Sequence, residues 1–302
     1  MSARTKLSSA VHWLFGSLPE PERVPHSTVL MVFVASVAAL VIEADLRHHV
    51  SAGRWPSYND VWTLATYGAV PLAALVAWEL ARSHNRGAWA VWVAGTIAIL
   101  ATPVLRFVGE GWEEAMRADA RIMLVPVVAG VVVVLGAARL GRVDLSAWGV
   151  GPGDWRWWLP RAAVLFGLMV AMVVLAAWVF PDLRDAYPRY KPARTSLEAL
   201  FRYQTSLGWY MLGWEFFFRA FLLFGMARRG DYLFAVLFQA MIFFILHHHK
   251  PDVEMAASFV GAIGVGYFCL RARSFLPLFF LHWAMNFTME VVGYAWRNAG
   301  GG

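Results

Sequence analysis

Apolar residues in this chain come in long blocks separated by short polar connections. Stretches of about 20 predominantly apolar residues, each long enough to cross a hydrocarbon layer of roughly 30 Å, follow one another along most of the sequence. The pattern predicts helices at 27–45, 60–81, 88–108, 121–140, 160–180, 205–227, 232–248, 255–271 and 276–295. The expected fold class is therefore all-α, a polytopic transmembrane helical bundle of about eight to nine spans. Two connections read as irregular. Gly149 to Pro160 is rich in Gly, Pro and Trp and suits an interfacial turn; Pro181 to Pro192 holds three prolines and several charges and suits a loop. A soft boundary there divides an N-terminal transmembrane helical region, 1–195, from a core, 196–302, that carries the chemistry.

Composition agrees with lipid as the solvent. Of 302 residues, 59% are hydrophobic and only 15% charged, and the mean hydropathy is +0.53. A formal charge of +6 raises the question of nucleic acid, but the basic residues stand singly or in pairs at the ends of apolar runs, as topology signals do. No nucleic-acid partner is expected. Arg82 and Arg86, Arg139 and Arg142, Arg228 and Arg229, and Arg271 and Arg273 fall on the same side in alternate connections, which puts that side and the N-terminus in the cytoplasm. The first apolar run ends in Glu43 and Asp45 without a small-residue cleavage site, so no removable signal peptide is expected. With one cysteine, Cys269, neither a disulfide framework nor a cysteine-rich metal site is available.

A charge at the bilayer centre costs about 2.5–3.5 kcal/mol on insertion scales, so each one there calls for a partner or a function. These residues gather late in the chain. In Gly213–Phe224, Glu215 and Arg219 stand four apart and stack on one helical face, where they fix packing as an ion pair or serve a site. Three histidines, His247 to His249, end the next apolar run before Lys250 and Pro251. At about 100° per residue only one or two of them can face the bundle. Glu254 follows at the start of the next helix, where a carboxylate also suits the helix dipole. In the last helix, His282 and Asn286 share a face, and interhelical hydrogen bonding is the plain alternative.

Three polar sets on three successive helices supply what peptide hydrolysis requires. A Glu deprotonates water, a His positions it or shuttles the proton, and His and Asn donors stabilise the oxyanion. By contrast, Glu113, Glu114 and Arg117 lie in the most charged connection, where solvation accounts for them, and no H-E-x-x-H or G-x-S-x-G occurs.

The ordered trio Glu215/Arg219, Phe243/His247 and His282/Asn286 resembles the CPBP family, the CAAX-processing and bacteriocin-protection intramembrane proteases also called Abi or Rce1-like. The likeness spans about 205–290. The family's usual first motif is E-E-x-x-x-R, and here the first Glu is Trp214. A bacterial subgroup with W-E-x-x-x-R and H-x-x-K-P-x-x-E is similar at His247, Lys250, Pro251 and Glu254.

The resemblance implies an intramembrane endopeptidase acting on a membrane-anchored protein or peptide in the lipid bilayer, as an integral protein of the bacterial inner membrane. It implies Glu215 or Glu254 as base, together replacing the missing carboxylate. It selects His247 to position water, makes His282 and Asn286 the oxyanion donors, and has Arg219 hold Glu215. Zinc on His247, His282 and a Glu is chemically allowed, but the metal-free glutamate mechanism is preferred and no cofactor is expected. The alternative functions are a catalytically inactive membrane scaffold or immunity protein and, less favoured for want of internal repeats, a transporter.

Overall fold

The computed structural model describes Trp13 and Leu14, six positions between 131 and 139, and residues 144–227, 232–245, 247 and 251–299. The expected spans 27–45, 60–81 and 88–108 lie outside the described residues, as does most of 121–140. Among the described residues all regular structure is helical. In chain order the helices are α1 (Trp155–Val179), α2 (Pro181–Ala186), α3 (Leu197–Ala227), α4 (Tyr232–Ile245), α5 (Asp252–Ala272) and α6 (Leu276–Ala299). Helices α1, α3 and α5 are long and apolar enough to cross a membrane, and α4 is a shorter apolar helix.

Helix α1 begins at Trp155, several residues before the expected start. The backbone carbonyl of Asp154 accepts from Trp157 N and Trp158 N, both at 3.0 Å. The Trp158 indole donates to Pro152 O at 2.8 Å, which fastens the Gly/Pro-rich segment against the first turn. Pro160 sits close enough to the start to remove one backbone bond without stopping the helix. The segment expected as a loop from Pro181 contains the short α2, with proline at its first position, and a 3-10 turn at Lys191–Arg194. Helix α3 starts at Leu197, where the Ser196 side chain caps Ala199 N at 3.2 Å.

Helix α3 is the central element. Its first part, Leu197–Glu215, is α-helical, and Phe216–Phe224 continues as a π-helix closed by i→i+5 bonds. Phe218, Phe221, Leu222 and Leu223 on this stretch are buried, and Phe268 of α5 and Ile242 of α4 complete the same core. Helices α4 and α5 form an antiparallel hairpin in which α5 packs chiefly on α4, while α6 packs along α1 and α3. Leu168, Met172, Leu175 and Trp178 of α1 are each more than half exposed, the distribution expected where hydrocarbon replaces water.

At one end of the bundle, Gly149–Asp154 docks on the α5–α6 junction: Asp154 N donates to Ala272 O at 2.8 Å and Phe275 N to Gly149 O at 3.1 Å. Gly153 adopts φ +55°, and a Cβ there would collide with the Ala272 carbonyl. At the opposite end, α2 and the Lys191–Arg194 turn lie against the last turns of α6. The helices and their apolar composition describe an integral membrane protein.

Candidate active site

Glu215 closes the α-helical part of α3 with its side chain fully buried. Its Oε2 accepts from Arg219 Nε at 3.0 Å, one turn further along α3. Its Oε1 lies 2.5 Å from His282 Nδ1 on α6. A carboxylate facing a guanidinium acts as acceptor, so His282 donates from Nδ1. Both carboxylate oxygens are thereby engaged, and the pair the sequence places on one helix is a three-residue unit across two.

Asn286 stands one turn beyond His282 and is buried. Its Nδ2 donates to the His282 carbonyl at 3.0 Å, which leaves the second amide hydrogen for another acceptor.

His247 follows the end of α4. Its Nδ1 lies 2.7 Å from Phe243 O, and since a carbonyl only accepts, Nδ1 carries a proton. The histidine that the motif selects from the triplet is buried; His248, His249 and Lys250 lie outside the described residues.

Phe243 is the meeting point of the separate parts. Its ring centroid is 4.4 Å from the His247 ring and 5.7 Å from the His282 ring. The Arg219 guanidinium carbon lies 5.0 Å from the same centroid, a cation–π arrangement. Trp214, at the position of the absent first Glu, stacks on Tyr210 at 5.8 Å and meets Phe243 edge-on at 6.4 Å. An aromatic wall therefore stands where the family's first motif has a second carboxylate.

Glu254 is held elsewhere. The Tyr187 hydroxyl lies 3.1 and 3.0 Å from its two oxygens, while the two oxygens of Glu215 are taken by Arg219 and His282. Burial first, then the charge of Glu254, holds the Tyr187 phenol well above its ordinary range, so it remains a donor.

Two members of this second cluster escape a reading of the sequence. Tyr187 lies in a connection that looks like plain loop. Glu290 is buried on α6 and accepts from Arg189 N at 3.2 Å. The signal for Glu290 is the continued spacing: His282, Asn286 and Glu290 follow one another at four-residue intervals along one face of α6. The row leads from the Glu215 contact towards the end of the bundle that holds Tyr187 and Glu254.

Among the described residues, no three His, Cys, Asp or Glu side chains are grouped to hold a metal ion. For the trio of His247, His282 and a Glu, the donor set explains this. Glu215 already has Arg219 on one oxygen and His282 on the other.

Residues 209–288 match the family described as type II CAAX prenyl endopeptidase Rce1-like. No curated protein and no solved structure matches the chain. The matched segment contains Glu215, Arg219, Phe243, His247, Glu254, His282 and Asn286. Over this segment, about a quarter of its length, the chain is similar to the Rce1-like family of type II CAAX prenyl endopeptidases.

Proposed function

We propose that the protein is an intramembrane endopeptidase that hydrolyses a peptide bond in a membrane-anchored protein or peptide, with no cofactor, in the bacterial inner membrane. The observation that carries this reading is the Glu215–His282 contact, with Arg219 on the other carboxylate oxygen. It is the arrangement that orients an imidazole for proton transfer: Glu215 fixes the Nδ1–H tautomer and stabilises the imidazolium when Nε2 takes a proton.

Water attacks the scissile carbonyl carbon as an imidazole Nε2 removes its proton. The carbonyl oxygen becomes the oxyanion of the tetrahedral intermediate. Collapse breaks the C–N bond, and the imidazolium returns the proton to the leaving amine. His247 and His282, each anchored through Nδ1 with its ring against Phe243, offer Nε2 in the neutral form and share these roles, one as base and the other in positioning water or donating to the oxyanion. Asn286 contributes its second amide hydrogen to the oxyanion. Arg219 holds Glu215, which acts through His282, while Glu254 is bonded by the Tyr187 hydroxyl outside this unit.

The test is cleavage of two quenched fluorescent probes by purified protein in micelles: a prenylated CAAX-type peptide and an unmodified transmembrane peptide. Cleavage that is lost in Glu215→Gln, His247→Ala and His282→Ala is the expected result. No cleavage of either probe by the native chain, or full activity in all three variants, would overturn the reading.

One observation favours a second reading, a non-enzymatic scaffold or immunity protein: Trp214 replaces the first motif Glu and packs into the aromatic wall. Under that reading the native chain is inert, and Trp214→Glu is the change that creates proteolysis.

A further inference from the structure

Tyr187 lies outside the matched segment, yet its two ends touch two different parts of the bundle. Its backbone is seated on α6: Arg297 Nε donates to Tyr187 O at 3.0 Å, and a Cβ at Gly293 would come within 2.6 Å of the same oxygen. Two residues on, Arg189 N donates to Glu290 of α6 at 3.2 Å. Its side chain crosses to α5, where the hydroxyl meets both oxygens of Glu254. Leu183, Tyr187 and Met289 form a small apolar cluster around this crossing, with Val253 of α5 and Met285 of α6 packed against it.

The element it reaches carries His247. Helices α4 and α5 form one hairpin, since α5 packs chiefly on α4, and His247 lies in the connection between them. Glu215 and His282 belong instead to α3 and α6. The spacing between His247 and the Glu215–His282 unit therefore depends on the core that α3 shares with the hairpin and, at the end where His247 lies, on how the hairpin is held against α6.

We propose that Tyr187 is a positioning residue: a strut, rooted on α6 and bonded to Glu254, that fixes the α4–α5 hairpin and so sets His247 opposite His282. The catalytic part of this inference rests on the protease reading; the strut itself does not.

Two measurements on the full chain separate the two. The first is the distance distribution between spin labels at Ala257→Cys on α5 and Ala295→Cys on α6. Both positions are exposed, while the native Cys269 is buried and stays unlabelled. The second is kcat and KM on whichever probe the native chain cleaves.

Tyr187→Phe keeps the ring in the apolar cluster and removes only the hydroxyl. The expected result is a broadened distribution, with kcat lowered about 10-fold and KM little changed, since a hydrogen bond to a charged group is removed without touching the substrate. Glu254→Leu, which has no acceptor for the hydroxyl, reproduces the broadening, and the double variant adds none to it, because both changes break one bond. Should Tyr187→Phe prove unstable, Glu254→Leu alone carries the distance test.

An unchanged distribution in Tyr187→Phe and Glu254→Leu overturns the strut and leaves the protease standing. Broadening in the variants, when the native chain cleaves neither probe, upholds the strut and removes the protease. Broadening with unchanged kcat overturns the positioning of His247.

Discussion

His282 and Glu215, 67 residues apart in the chain, meet at 2.5 Å between α6 and α3, with Arg219 on the far oxygen of the same carboxylate. Glu215 and Arg219 are both essentially excluded from solvent. Removing one member of such a pair strands the other.

Stability answers this differently from activity. Glu215→Gln leaves the Arg219 guanidinium without its counter-charge and costs roughly 3–5 kcal/mol, whereas Glu215→Met together with Arg219→Leu recovers most of that loss. Thermal unfolding in detergent checks the order: the single variant melts lowest, the double variant approaches the native chain, and neither cleaves peptide.

The two imidazoles have separate anchors, so their variants fail separately. His282→Gln and His247→Gln each lower kcat by about 10²–10⁴-fold, the range for loss of an acid–base group. Single-turnover kinetics give the measurement. Because His247 is anchored by a backbone carbonyl, Phe243 O, no side-chain substitution at Glu215 reproduces the His247 phenotype in full.

Tyr187 makes stability pH-dependent on the alkaline side. Its folded-state value is raised above the ordinary 10, so its contribution is fully present below about 10 and is lost as pH rises through the folded value. The melting difference between the native chain and Tyr187→Phe is therefore constant from neutral pH to about 10 and shrinks above it. A difference already vanishing near pH 8 would contradict the buried phenol.

Gly293 is required by close approach, since a Cβ would stand 2.6 Å from the Tyr187 carbonyl oxygen. Gly293→Ala pushes the 181–194 connection off α6 and costs on the order of 1–3 kcal/mol by overpacking. Faster proteolytic nicking within 181–194, with the rest of the bundle intact, is the expected readout.

How much of this was legible in the sequence follows from which interactions are local. Helices over 232–245 and 252–272 are close to the blocks of apolar residues that announce them. The Glu215–Arg219 pair was equally visible, because four residues along a helix is one turn. Helix starts were harder: Trp155 precedes the expected position because tryptophan anchoring overrides the Gly/Pro signal before it. The contact of Glu215 with His282 rather than with water is tertiary, and motif order suggested only that the two share a site. Tyr187 carried no signal at all, since its role comes from where a connection folds back. Glu290 did carry one, in the third member of a four-residue ladder that stops short if read only to Asn286.

The π-helical stretch Phe216–Phe224 has a bearing on which way the site faces. A helix closed by i→i+5 bonds takes one residue more into each hydrogen-bonded turn than an α-helix closed by i→i+4. Glu215 lies on the α-helical side of that transition and Arg219 within it. An uninterrupted α-helix through the same residues would turn everything beyond the junction in a different direction. The wider turns therefore set how the buried aromatic face of α3 meets α4, while Glu215, ahead of them, keeps its place against His282.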